Sequence, residues 1–232
     1  MSSFPSGYRA LILGGSGALG HAVAEQLQSD PSCAKVLTLS RSSTPAVDFN
    51  TPSSIEQAAQ AVRKHGPWNL LFIATGMLHG ATGTPEKRLS DLNAEHMAAS
   101  FAINTIGPAL ALAHFTPQLA RTQRCVVAVL SAKVGSIGDN RLGGWYSYRA
   151  AKAGLNMVIK TAAIELARTQ PQAIVAALHP GTVNSALSAP FKGAQIGRAA
   201  DAAAFDLLQL INHLQVEDSG SFWAYNGQRL PW

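Results

Sequence analysis

A tyrosine and a lysine stand four residues apart in Tyr148-Arg149-Ala150-Ala151-Lys152, at the start of what reads as a long helix, Tyr148–Gln170. Residues at that spacing share one helical face. An ammonium beside a phenol favours the phenolate and brings the tyrosine down from its ordinary pKa of roughly 10. A tyrosine tuned in this way exchanges protons with a substrate oxygen near neutral pH. The spacing alone is common on helix surfaces. Its weight comes from a glycine-rich segment far upstream.

That segment is Leu13-Gly14-Gly15-Ser16-Gly17-Ala18-Leu19-Gly20. Tyr8–Leu13 before it is short and apolar, a buried strand. Ala22, Val23, Ala24 and Leu27 after it mark a helix that ends near Asp30-Pro31. Strand, glycine loop and helix in that order form a dinucleotide-binding fingerprint. The absent Cβ atoms permit a tight turn and close approach of a pyrophosphate, and the helix N-terminus offers free N–H groups to that anion. Gly14, Ser16, Gly17, Ala18, Leu19 and Gly20 are therefore candidate cofactor-binding residues.

The rest of the chain must position these two sites. Strand and helix patterns alternate: strands at 36–40, 68–74, 125–131, 173–178 and 220–225, and helices at 53–65, 94–119 and 199–212. This order predicts an α/β protein, a doubly wound parallel sheet of about seven strands with helices on both faces. With 232 residues, 47% of them hydrophobic, residues 1–232 read as a single domain with ample core. No apolar run approaches the ~20 residues that span a bilayer, so no membrane association is expected. Cys33 and Cys125 are too few for a disulfide framework and suit a reduced, cytoplasmic setting. The net charge of +5 is scattered rather than gathered in a stripe, which argues against a nucleic-acid surface. No close His-x-His or His-Glu-x-x-His pair is present, so no metal site is expected.

Taken together, these motifs resemble the short-chain dehydrogenase/reductase family over nearly the whole chain, which implies a single-domain Rossmann fold. Gly14 and Gly20 match the family's Thr-Gly-x-x-x-Gly-x-Gly loop, while Leu13 replaces its threonine and Ala18 its middle glycine. Leu71-Phe72-Ile73-Ala74-Thr75-Gly76 is similar to the segment that ends Asn-Asn-Ala-Gly, placing Ala74 and Gly76 beside the cofactor. Asn104 falls at the active-site asparagine. His179-Pro180-Gly181-Thr182-Val183-Asn184-Ser185 is similar to the Pro-Gly-x-Val-x-Thr turn, so the resemblance assigns Pro180, Gly181, Val183 and Ser185 to the nicotinamide.

The second strand ends in Ser40-Arg41-Ser42-Ser43, where NAD-dependent relatives usually carry an acidic residue for the ribose 2′-hydroxyl. A guanidinium grips a 2′-phosphate, and a carboxylate would repel it. Arg41 therefore favours NADP(H) over NAD(H), with hydroxyl contacts open to Ser42 and Ser43. Asp48 and Phe49 fall where the family has its adenine-contacting aspartate, after a third strand.

In the family a serine at the end of the fifth strand bonds the substrate carbonyl. Here the strand ends Leu130-Ser131-Ala132-Lys133-Val134-Gly135-Ser136, and counting back from Gly135 puts Ala132 at that position. Ser131 is the favoured candidate; Ser136, or no serine, remains open. The resemblance implies carbonyl reduction to an alcohol, with Tyr148 as general acid, Ser131 polarising the carbonyl, Lys152 tuning Tyr148 and holding the ribose, and Asn104 placing a water next to Lys152. Residues 135–148 resemble the C-signal and sniffer-like carbonyl reductase subgroup, which brings an alternative: a non-enzymatic dinucleotide-binding signalling protein. A small carbonyl or alcohol substrate and a homodimer or homotetramer through the long helices are expected. Phe191, Leu187, Trp145 and Leu142 are candidates for an apolar pocket, and equally for core or dimer contact.

Overall fold

Leu70–Ile73, Cys125–Leu130 and Ala173–Leu178 are apolar without a break, the composition of a strand covered on both faces. In the computed structural model, which describes residues 1–232, they lie in the middle of one parallel sheet. Its strands are β1 (Tyr8–Leu13), β2 (Cys33–Leu39), β3 (Leu70–Ile73), β4 (Cys125–Leu130), β5 (Ala173–His179) and β6 (Ser221–Ala224), in the order β2-β1-β3-β4-β5-β6. Every neighbouring pair is parallel. β2 carries Lys35 and Thr38 and lies at an edge, where polar side chains discourage further pairing.

Alternation along each strand divides the core in two. Leu11, Leu13, Val127, Val129 and Val175 pack under α2 (Pro52–Val62), α4 (Gly107–Phe115) and α5 (Tyr146–Thr169). Ala10, Ile12, Val126, Ala128 and Ile174 pack under α1 (Ala18–Gln28) and α7 (Ala200–His213). Each fully buried leucine or valine contributes about 1.5–3 kcal/mol of transfer free energy. α3 (Ala94–Phe101) and the four-residue α6 (Gly193–Ile196) complete the helices.

The sheet has six strands, not about seven. No strand lies between β2 and α2: residues 40–51 form a loop, so Asp48 follows β2 directly. The sequence explains this, because Ser42-Ser43-Thr44-Pro45-Ala46 holds no run of branched or aromatic residues and Pro45 has no N–H for a ladder. The expected helix 94–119 is also interrupted. A π turn at Ala102–Ile106 separates α3 from α4 just before Pro108, which cannot supply an N–H to the helix ladder. Asn104 lies inside that turn. By length and hydropathy the continuous run Ala94–Gln118 does reach a membrane-span composition, contrary to expectation. Ala111, Leu112 and Phe115 place part of that apolar content in the core.

β1 leads to β2 on one side, and the chain then returns to lay β3 on the other side of β1. At such a switch point the loops after the two strands diverge, leaving a crevice at their carboxyl ends. Gly14 and Ala74 stand at its two lips.

Candidate active site

The glycine loop is shaped by contacts that only glycine tolerates. Gly14 has φ +92°, and a Cβ there would lie 2.7 Å from the Ala74 carbonyl oxygen. A Cβ on Gly20 would lie 2.3 Å from the Gly14 oxygen. α1 can therefore begin directly on the loop, and no side chain caps its N-terminus at Gly17. Ser16, Gly17 and Ala18 are exposed there, whereas Leu19 and Gly20 are buried and hold the helix in place. The free N–H groups at this end suit an anion.

The crevice has a volume of about 560 Å³ and runs from Ser16 and Gly17 past Arg41, Asp48 and Phe49 to Ala74, Gly76 and His79. Arg41 is exposed on its wall. Ser43 is committed elsewhere, its Oγ accepting from Ser40 N at 2.8 Å and donating to Pro45 O at 2.7 Å, whereas Ser42 is exposed, its N donating to Ser40 Oγ at 3.2 Å and its hydroxyl 3.1 Å from that oxygen. These bonds fix the loop that presents Arg41. Asp48 Oδ1 accepts from Asn50 N at 3.0 Å and its carbonyl from Ser54 Oγ at 3.0 Å, so it also shapes the chain into α2. Phe49 is packed over Gly107, where a Cβ would lie 2.2 Å from the ring. Thr75 Oγ1 is buried in this crevice with no hydrogen-bond partner. An uncapped helix end, a cation with no ion pair and an orphaned hydroxyl together fit a dinucleotide.

α5 places Tyr148, Lys152 and Asn156 on successive turns of one face, all buried. Lys152 Nζ sits 5.9 Å from the centre of the Tyr148 ring and donates to Leu130 O at 3.0 Å. Burial acts on both groups in the direction that removes charge. It pushes Tyr148 above the ordinary phenol range and brings Lys152 down to about 8. The fold thus keeps Tyr148 protonated, where the sequence suggested a phenolate-leaning group.

Gly76 stands between Asn104 and Lys152: a Cβ on it would lie 3.4 Å from Asn104 Oδ1 and 3.8 Å from Lys152 Nζ. The Asn104 amide is spent on the loop after β3. Its Oδ1 accepts from Met77 N at 3.0 Å, and its Nδ2 donates to Met77 O at 2.8 Å and Ser100 Oγ at 3.2 Å. Asn104, Gly76 and Lys152 therefore come together, with the asparagine side chain setting the loop.

Ser131 is buried, and its hydroxyl donates to Asn156 Oδ1 at 2.6 Å. Asn156 Nδ2 in turn donates to Gly135 O at 3.2 Å. The 131–135 segment lies so close to α5 that a Cβ on Gly135 would be 2.7 Å from Lys152 Cβ. Ala132 is half-buried in extended backbone, so its methyl points to the side opposite Ser131. Ser136 is turned to the chain end, donating to Trp232 O at 3.3 Å and accepting from Asp139 N at 3.1 Å. Neither serine hydroxyl is free.

Two further residues matter here that the motifs did not single out. Asn156 continues the four-residue spacing of Tyr148 and Lys152, a signal the sequence did contain. Glu86, from the loop between β3 and α3, carried none. It is buried, its carboxylate accepts from Ser147 N at 3.1 Å and from Ser147 Oγ, and its carbonyl accepts from Trp145 N. It is the cap of α5, one residue before Tyr148. Burial opposes its charge, but the Ser147 bonds prevail and hold its carboxyl below the usual range. The chain arrives through Gly143, Gly144 and Trp145, all left-handed, and Arg149 Nε donates to Gly144 O at 2.9 Å and Nη1 to Val134 O at 3.2 Å.

The turn after β5 is equally constrained. Gly181 has φ +75° against the Tyr225 ring, Val183 is buried, and Arg198 N donates to Thr182 O at 2.8 Å. Ser188 Oγ donates to Val183 O at 2.6 Å and accepts from Ser185 N at 3.2 Å. Pro180, Gly181, Val183 and Ser185 thus lie on one pinned turn, and His79 Nε2 meets Ala186 O at 3.3 Å where the turn faces the β3 loop.

The family model for short chain dehydrogenases matches residues 8–195. C-signal of Myxococcus xanthus is 32% identical over 145 residues, covering 62% of this chain and 83% of that protein. The 1-hydroxy-2-glutathionyl-2-methyl-3-butene dehydrogenase of Rhodococcus sp. (strain AD45) is 30% identical over 189 residues, 81% of this chain and 79% of that one. Among solved structures, the carbonyl reductase Sniffer of D. melanogaster shares the fold with a TM-score of 0.83 at 20% identity, covering 97% of this chain and 99% of that one. With the glycine loop, the Tyr148–Lys152 pair and the matched span all in agreement, the chain belongs to the short chain dehydrogenase family.

Proposed function

We propose that this protein reduces a small aldehyde or ketone to its alcohol with NADP(H), residues 1–232 acting as one nucleotide-binding unit. The observation that carries this reading is the buried Tyr148–Lys152 pair beside the crevice at the β1/β3 switch point. The N-terminus of α1 would receive the pyrophosphate, Arg41 the 2′-phosphate and the turn at 180–185 the nicotinamide. When bound, the cofactor supplies hydride to the carbonyl carbon.

Tyr148 does the proton chemistry. A phenol kept neutral by burial is the form that donates, and it delivers its proton as negative charge develops on the carbonyl oxygen. Lys152, brought down to about 8, holds a proton that it can release at neutral pH to restore the phenol. Asn104 fixes the Met77 loop beside this pair. Ser131 supports the site through Asn156, so Tyr148 is the principal donor to the substrate oxygen. Gly135 and Glu86 hold the two ends of this machinery against α5.

The signalling alternative draws on the likeness to C-signal. The buried Tyr148–Lys152 pair, with Asn104 and Lys152 brought together around Gly76, favours turnover instead. Two unpaired cysteines suit a reducing, cytoplasmic setting, and neither a nucleic acid nor a membrane is part of this reading. A homodimer or homotetramer would form through the outer faces of the 94–119 helical run and α5, where Ile106, Met157 and Ile164 are exposed. The test is reduction of a carbonyl panel with NADPH by wild type and Tyr148→Phe. Turnover that falls at least a thousandfold with nucleotide affinity retained is the expected outcome; equal turnover in the variant rejects the mechanism.

A further inference from the structure

Four rings from three segments meet beside the crevice. Trp145 precedes α5, Tyr148 lies in its first turn, His79 follows β3, and Phe191 sits on the turn Ala189–Phe191 beyond β5. The Trp145 and Phe191 centroids are 5.4 Å apart, His79 and Phe191 6.0 Å, and Trp145 and Tyr148 6.3 Å. None of Trp145, Phe191 and His79 is buried in the core. His79 also lines the cofactor crevice, so the cluster continues from it to the proton donor.

Trp145 is held there against its own backbone preference. Its φ of 54° and ψ of 43° are left-handed, a conformation that a bulky side chain rarely adopts and that persists only when the surroundings impose it. They do so here: its N–H bonds Glu86 O, and Arg149 pins the two carbonyls before it, at Gly143 and Gly144. Glu86 and Arg149 thus combine to aim an indole at the space beside Tyr148. Charged groups of the same loop between β4 and α5 are engaged elsewhere, Arg141 on Asn140 O at 3.2 Å and Lys133 on Asp139 at 3.5 Å. Phe191, opposite, lies on an exposed turn, with Ala189 and Pro190 in solvent, and can yield to a ligand without opening the core.

Building on the reductase reading, we infer that the substrate bears its carbonyl next to a flat, apolar, aryl-like group, which Trp145 and Phe191 clasp beside Tyr148. Flat groups exchange the Trp145–Phe191 contact for ring contacts on both sides, which a saturated ring of the same size cannot match. Trp145 and Phe191 are then specificity-determining residues.

The test separates binding from turnover. 2-Phenylethanol and 2-cyclohexylethanol are titrated by calorimetry into the protein with NADP+, and phenylacetaldehyde and cyclohexylacetaldehyde are offered with NADPH. The methylene insulates the carbonyl, so the two aldehydes differ in ring shape and hardly in reactivity. The phenyl member is expected to bind, and to be reduced, roughly fivefold to tenfold better. Phe191→Leu and Trp145→Leu should each bring the binding ratio close to one. Equal binding of the two alcohols, or a phenyl preference that survives Phe191→Leu, overturns the clamp. A phenyl preference in binding without reduction of any carbonyl upholds the clamp and removes the reductase reading instead.

Discussion

Ser131 gives its hydroxyl to Asn156 Oδ1 at 2.6 Å, beneath the helix that carries Tyr148 and Lys152. The same asparagine reaches Gly135 O at 3.2 Å, so one side chain ties the loop after β4 to α5. A hydroxyl used in this way acts on the substrate through the position of Lys152. Removing a direct donor to a developing oxyanion costs about 100- to 1,000-fold in kcat. Ser131→Ala and Asn156→Ala should each cost only about tenfold, and the double variant no more than either single one. A thousandfold loss confined to Ser131→Ala would show instead that the hydroxyl contacts substrate.

Arg41 forms no ion pair and stands on the crevice wall on a loop fixed by Ser40 and Ser43. Arg41→Ala should weaken NADPH binding roughly tenfold or more, the range of a charge-assisted bond, and leave NADH unchanged. Fluorescence titration at two salt concentrations measures both, with the NADPH term weakening as salt rises. Equal losses for the two nucleotides would move the phosphate site elsewhere.

Lys152 loses its proton near 8, because burial lowers its pKa. Its ammonium is fully present below that value and disappears above it, so kcat/KM for reduction should decline as pH rises through about 8. The sign for stability is opposite: a buried ammonium costs the fold most below 8, and that cost fades between 8 and the unfolded lysine value near 10.4. A reduction profile flat to pH 9.5 would remove Lys152 from proton transfer.

Glu86 is held below the usual carboxyl range by Ser147 at the start of α5. Its contribution to stability is complete above the unfolded value near 4.3 and is lost as pH falls through the lower folded value. Glu86→Ala, which leaves the Ser147 donors buried without an acceptor, should cost about 2 kcal/mol of stability at neutral pH. Glu86→Gln retains one acceptor and should lose less. Urea unfolding at pH 7 and pH 4 compares them, and a variant as stable as wild type at pH 7 would deny the cap.

The sequence by itself determined what depends on neighbours along the chain. Gly14 and Gly20 declared a tight loop before a helix, and Tyr148 and Lys152 declared a shared helical face. The apolar runs declared strands covered on both sides, because each of these signals lies within one element. The seventh strand was expected from the resemblance and is absent, although the proline and serines of residues 42–46 disfavour one. The tertiary structure alone decided which hydroxyls and carboxylates are spent. Ser131 and Asn156 are 25 residues apart and Glu86 and Ser147 are 61 apart. No periodicity announces pairs that meet only when β4 and the β3–α3 loop close on α5. Burial did the rest: it turned a tyrosine that the sequence presented as acidic into one held protonated, because the charged form loses its water there and finds no ion pair to replace it.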